Sequence, residues 1–185
     1  MIKPMDRRRI IVNGRVQGVG FRPFVYRLAT ALRLAGSMQN TAAGVAIEIE
    51  GDLESLEDFL QRLNTDLPAP ASIQSLQQKS IAIRESRQFE ILPSELTNQQ
   101  VSQSGNQTVQ PLSPTTQILP DLSTCSNCLQ DIFSPQNRRY RYPFTNCTHC
   151  GPRFSIIQGL PYDRDRTIMA KFEMCLACYE EYSNP

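Results

Sequence analysis

All six cysteines of this 185-residue chain fall into three Cys-x-x-Cys pairs: Cys125/Cys128, Cys147/Cys150 and Cys175/Cys178. Two thiolates separated by two residues can grip one metal ion from a single tight turn, and two such turns complete a tetrahedral zinc site. Eighteen residues separate the first pair from the second, within the range of structural zinc sites. The expected ligands of one site are therefore Cys125, Cys128, Cys147 and Cys150. Cys175 and Cys178 are candidate metal residues as well; with one zinc per chain they are expected to be free, oxidation-prone or shared between chains, the alternative being an interleaved site in which the third pair contributes to the first. A thioredoxin-like redox role for one pair is a weaker alternative, because it does not explain three pairs. From residue 121 onward aliphatic residues are few, so bound metal must supply much of the folding energy. In small finger peptides zinc contributes on the order of 10 kcal/mol.

The pairs also carry a repeat. Residues 125–135 (CSNCLQDIFSP) align with residues 175–185 (CLACYEEYSNP) at an offset of 50, matching Cys125 to Cys175, Asp131 to Glu181 and Pro135 to Pro185. Repeats of this kind mark a duplicated structural unit. The first unit continues to Cys147 and Cys150, and the second stops before its own second pair. The expectation is a fragment cut inside a second finger.

Formal net charge is +1, so no global field selects nucleic acid or acidic lipid. There is no long apolar run and no secretory signal, which predicts a chain that spans no membrane and works in the cytoplasm, where thiols stay reduced. The run Arg138-Arg139-Tyr140-Arg141-Tyr142 has the basic and aromatic interleaving of a nucleic-acid surface, but short basic runs are more often solvated faces. His149, the one histidine, reads as an exposed finger residue. Phe144 and Phe154 are expected to pack around the metal knuckles.

Residues 8–92 read as one compact domain. Residues 9–13 form a β-rich run, and Phe21, Val25, Leu28 and Leu32 recur at helical spacing, with Pro23 suited to the first turn. Val45, Ile47 and Ile49 alternate with Ala46, Glu48 and Glu50, which predicts a half-exposed strand. Asp52 can cap a helix whose apolar face is Leu53, Leu56, Leu60 and Leu63. Residues 73–83 and 88–91 supply further strands. The expected class is α+β: a ferredoxin-like βαββαβ arrangement, two helices on one face of an antiparallel sheet, followed by a small four-cysteine zinc-finger region at 121–185. Between them, residues 93–120 are rich in Gln, Ser, Thr, Asn and Pro with Glu95 as the one charge, and read as a flexible linker.

Two segments carry chemistry. In residues 12–23 (VNGRVQGVGFRP), Gly14, Gly18 and Gly20 lie between a strand and a helix. Such a loop can turn successive N–H groups inward to nest an anion, backed by the positive end of the helix, and Arg22 can pair with phosphate oxygens in a forked geometry. In residues 36–45 (GSMQNTAAGV), Asn40 sits at a strand end beside that loop, where its amide can hold a water or merely make a turn.

Together these segments resemble the acylphosphatase family. Its V-x-G-x-V-Q-G-V-x-F-R signature stands as Val12, Gly14, Val16, Gln17, Gly18, Val19, Phe21 and Arg22, and its G-x-x-x-N-x-x-x-G-V pattern as Gly36, Asn40, Gly44 and Val45. Ser37 departs from the tryptophan that the family often has. The resemblance implies a phosphate-binding loop of Val16, Gln17, Gly18, Val19, Gly20 and Phe21, with Arg22 binding phosphate and Asn40 orienting the attacking water. An acyl phosphate leaves as a stabilised anion, so no histidine is required.

Joined to residues 138–154 (RRYRYPFTNCTHCGPRF) and 160–164 (LPYDR), the domain resembles the N-terminal part of the HypF carbamoyltransferase family of NiFe-hydrogenase maturation. That resemblance implies hydrolysis of carbamoyl phosphate here, with ATP and a carbamoyl-accepting maturation partner engaged by later domains. The rival reading is a non-catalytic, zinc-dependent module binding protein or nucleic acid on an acylphosphatase scaffold. A free-standing acylphosphatase with a degenerate tail is a third.

Overall fold

The computed structural model describes residues 4–94, 122–147, 150 and 154–183. Most of the expected linker lies outside these residues, as do His149, Gly151 and Pro185.

Five strands and two helices build the first unit: β1 (Met5–Arg15), α1 (Phe21–Ala31), β2 (Ala35–Thr41), β3 (Gly44–Asp52), α2 (Leu53–Thr65), β4 (Ser72–Ser80) and β5 (Phe89–Ile91). Their order across the sheet is β4-β1-β3-β2-β5. The fold is α+β and ferredoxin-like. β1 pairs antiparallel with β3 and β4, and β2 antiparallel with β3, whereas β5 runs parallel to β2. The sheet is therefore mixed rather than wholly antiparallel, because a short fifth strand returns to the β2 edge.

The helices form where the apolar spacing demands. Phe21, Val25, Leu28 and Ala29 of α1 are buried, as are Leu56, Phe59, Leu60 and Leu63 of α2. They join Ile10, Val12, Val45, Ile47 and Ile49 in one core. Asp52 caps α2, its carboxylate accepting from the Ser55 N–H at 3.1 Å. Leu53, expected on the buried face, is exposed at the first position of α2, and Phe59 takes the inward place.

The alternation in β3 predicts a half-exposed strand, but Ala46 and Glu50 are only 6% and 3% exposed. Residues after β4 explain this: β4 ends at Ser80, short of the expected strand end at 83, and the chain then folds over the other face of the sheet. Arg84 and Ser86 donate their backbone N–H groups to the Glu50 carboxylate at 2.8 and 3.1 Å, and Arg7 lies 2.5 Å from Glu48 and 3.8 Å from Glu50. A charge that is paired and hydrogen-bonded can be buried; an unpaired one cannot.

In the cysteine region, α3 (Ser126–Phe133) follows Cys125 and α4 (Leu176–Ser183) follows Cys175, so the repeat offset of 50 seen in sequence holds element for element. Arg139 joins the two copies, pairing with Asp131 at 3.8 Å and with the equivalent Glu181, while Arg138 reaches Glu181 at 2.5 Å. These arginines are thus engaged within the region. Phe144 and Phe154 do not pack into it: they are 71% and 54% exposed, and Phe144 meets the Tyr142 ring edge-on at 5.7 Å. So small a unit has too little interior to enclose them.

Candidate active site and metal centre

The loop from β1 to α1 is anchored by its side chains and presents its backbone. Val16, Val19 and Phe21 are each 1% exposed and point into the core. Gly18 and Gly20 adopt φ of 71° and 75°, a left-handed conformation that a side chain would strain, and Gly20 caps α1. Among the described residues, the amides of Gln17, Gly18, Val19 and Gly20 donate to no backbone carbonyl and no side chain. Unpaired amides at a helix start favour an anion.

Gln17 spends its side chain on holding the loop. Its Nε2 donates to the carbonyls of Thr41 at 2.8 Å and Gly44 at 2.7 Å, the end of the β2–β3 hairpin. Gly36 and Gly44 keep that hairpin close to its neighbours. A Cβ at Gly36 would lie 2.0 Å from the Glu48 carbonyl, and one at Gly44 2.1 Å from the Val12 carbonyl. Asn40, four residues from each, is fully buried.

Arg22 and Asn40 converge. Arg22 Nη2 donates to the Tyr162 carbonyl at 3.4 Å, and Asn40 Nδ2 donates to the same oxygen at 3.3 Å. The Asn40 Oδ1 is buried without a partner among the described residues. Arg22 Nη1 faces Asp163 Oδ1 at 2.7 Å; the contact is an ion pair rather than an aligned hydrogen bond. The Tyr162 N–H donates to Gln17 Oε1 at 2.8 Å. A segment of the cysteine region thus lies directly on the three polar side chains that the sequence singles out. Burial pushes the Tyr162 phenol up to about 12, with Tyr182 adding to the rise, so it is neutral at physiological pH. No periodicity or spacing signals the contact of Tyr162 and Asp163 with the first unit; they appear in sequence only inside the 160–164 resemblance.

The first four cysteines also come together. Cys125 and Cys147 sulfurs are 3.5 Å apart, Cys128 and Cys150 3.8 Å, and Cys147 and Cys150 4.0 Å, with all four within 4.8 Å of one another. Tetrahedral zinc–thiolate bonds imply sulfur separations of about 3.8 Å, so the donor set fits zinc. Cys175 and Cys178 do not join them: Cys175 is exposed, and Cys178 accepts from Arg138 Nη1 at 3.0 Å.

Comparison with known proteins finds two families in the chain. The acylphosphatase profile matches residues 8–91, and the HypF finger profile residues 124–157. An acylphosphatase of Chlorobaculum tepidum is 40% identical over 88 residues, covering 46% of this chain and 95% of that protein. The fold therefore has its counterpart in a known class, and the chain belongs to the acylphosphatase family. Beyond the acylphosphatase unit it matches the N-terminal region of HypF carbamoyltransferases. That of Synechocystis is 47% identical over 163 residues, 88% of this chain and 19% of the relative. A full-length HypF crystal structure in a phosphate- and nucleotide-bound form superposes with a TM-score of 0.85 at 36% identity, over 100% of this chain and 23% of that one. The chain spans about a fifth of the length of the HypF carbamoyltransferases it matches.

Proposed function

We propose that this chain is the part of a hydrogenase-maturation carbamoyltransferase that hydrolyses carbamoyl phosphate to carbamate and phosphate. The observation that carries the reading is the convergence of Arg22 and Asn40 on one oxygen beside a loop whose amides have no partner among the described residues. The domains divide as 8–92 for the acylphosphatase unit, 93–120 for the linker and 121–185 for the finger region. The protein works in the cytoplasm; no described helix is long and apolar enough to cross a membrane.

The chemistry follows from the side chains present. The amides of residues 16–21 and the Arg22 guanidinium bind the phosphoryl oxygens and stabilise their charge, which is most of what phosphoryl transfer needs. Asn40 fixes a water through its unpaired Oδ1, so that the water's oxygen faces phosphorus. A bond forms from that oxygen to phosphorus, and the bond from phosphorus to the carbamoyl oxygen breaks. The electron pair leaves with carbamate, and the water's protons end on the phosphate as dihydrogen phosphate. Carbamate is a stabilised anion, so no general acid is required. Zinc held by Cys125, Cys128, Cys147 and Cys150 would supply folding energy rather than chemistry. In the intact protein, ATP converts the carbamate to carbamoyl adenylate, and the carbamoyl group passes to the maturation partner.

The reading is tested by hydrolysing carbamoyl phosphate in water carrying a heavy oxygen isotope. Phosphorus NMR is expected to find one heavy oxygen in each phosphate released. Unlabelled phosphate beyond the enzyme-free control would mean cleavage of the carbon–oxygen bond, by attack at the carbonyl carbon or by loss of cyanate, and would refute the assignment.

A further inference from the structure

Residues 158–166 form a closed loop with its own frame. Ile157 and Thr167 bridge at its base, Gln158 donates its N–H to the Arg166 carbonyl at 2.8 Å, and Arg166 Nη1 donates to the Leu160 carbonyl at 2.6 Å. Its tip is Tyr162–Asp163. That tip meets the side chains around the proposed site: Gln17, which holds the loop, takes the Tyr162 N–H, Asn40 Nδ2 and Arg22 both donate to the Tyr162 carbonyl, and Arg22, the guanidinium assigned to phosphate, faces the Asp163 carboxylate. Arg22 and Asp163 are 24% and 20% exposed, so water screens the pair only in part.

A phosphoryl dianion and the Asp163 carboxylate cannot both sit against one partly desolvated guanidinium without strong repulsion. One of them must leave. We propose that Asp163 is a specificity-determining residue: a tethered carboxylate that occupies Arg22 and yields it to a phosphoryl group but not to a free monocarboxylate. The proposal rests on the acylphosphatase reading of the site. Tethering gives Asp163 an effective concentration of about millimolar or more, so a dissolved carboxylate of the same charge and shape competes poorly. A phosphoryl group brings more charge and three oxygens, and it also engages the loop amides, which Asp163 does not engage. Carbamate is itself a monocarboxylate, so the same tether keeps the organic product from lingering on Arg22.

The test is calorimetric titration of inorganic phosphate and of acetate into the full 185-residue chain, wild type, Asp163→Asn and Arg22→Ala. Removing the competing charge should tighten phosphate binding roughly three- to tenfold in Asp163→Asn, and acetate binding should become measurable there while staying undetectable in wild type. Phosphate binding that is unchanged or weaker in Asp163→Asn overturns the proposal and makes Asp163 a residue that merely positions Arg22. Arg22→Ala separates the two levels: phosphate binding that ignores this substitution, or is absent throughout, overturns the site reading and the tether with it. Hydrogen exchange on the wild type needs no variant. Saturating phosphate should speed exchange of the Tyr162 amide as the tip lifts, and slower or unchanged exchange would contradict displacement.

Discussion

The backbone N–H of Tyr162 donates to the side-chain oxygen of Gln17 at 2.8 Å, across 145 residues of sequence. With the contacts of Arg22 and Asn40 to Tyr162 and Asp163, this bond ties the loop expected to bind phosphate to the region expected to bind metal. Gln17 also donates to the Thr41 and Gly44 carbonyls, so one carboxamide joins three separate segments.

Replacement of Gln17 by Ala should therefore cost stability as well as activity. Two carbonyls and one N–H lose a buried partner, a loss of about 2–4 kcal/mol. Gln17→Glu should be at least as damaging, because an ionised carboxylate cannot donate to those carbonyls. Thermal unfolding of both variants against wild type checks this.

Gly44→Ala should destabilise the β2–β3 hairpin beyond the ordinary cost of a surface change. The added Cβ meets the Val12 carbonyl at 2.1 Å, on a backbone with φ of 146°. About 2–4 kcal/mol is expected from steric shift and backbone strain together. Urea denaturation with an unchanged slope and a lowered midpoint is the expected outcome.

Glu50→Ala should unfasten the segment that covers the second face of the sheet. It removes the acceptor for the Arg84 and Ser86 amides and leaves Arg7, itself 3% exposed, with one carboxylate partner, Glu48, in place of two. Breaking a buried charge pair costs about 3–5 kcal/mol. Hydrogen exchange should rise at residues 81–88 before it rises in β1 or β3.

Metal removal should act on one half of the chain. A strong chelator is expected to take one zinc per chain and to unfold the segment from α3 to Cys150 while leaving the five-stranded sheet intact. Serine at any one of Cys125, Cys128, Cys147 or Cys150 should abolish that stoichiometry, and Cys175→Ser should preserve it. Elemental analysis with circular dichroism distinguishes these outcomes.

Local periodicity is what the chain states most plainly. Helical spacing of Phe21, Val25 and Leu28 and alternation of Val45, Ile47 and Ile49 each mark an element, and both elements form where expected. Cysteine spacing reports loop closure, and the four sulfurs gather accordingly. Glu50 departs from expectation because charge in a strand reads as solvent exposure; its burial depends on amides supplied by a later, aperiodic segment. Leu53 departs because position one of a helix shares the sequence period without sharing the buried face. Tyr162 and Asp163 give no periodic signal, since a loop tip meeting a site 140 residues away leaves no pattern of its own.

The central claim is that Arg22 and Asn40 act together on a phosphoryl group, one through charge and the other through an oriented water. Steady-state kinetics of carbamoyl phosphate hydrolysis by wild type, Arg22→Ala and Asn40→Ala test it most directly. Loss of Arg22 should lower kcat/KM by roughly a hundred- to a thousandfold with a raised KM. Loss of Asn40 should lower kcat by a similar factor with KM nearly unchanged. Folded variants that hydrolyse carbamoyl phosphate at the wild-type rate would contradict the account.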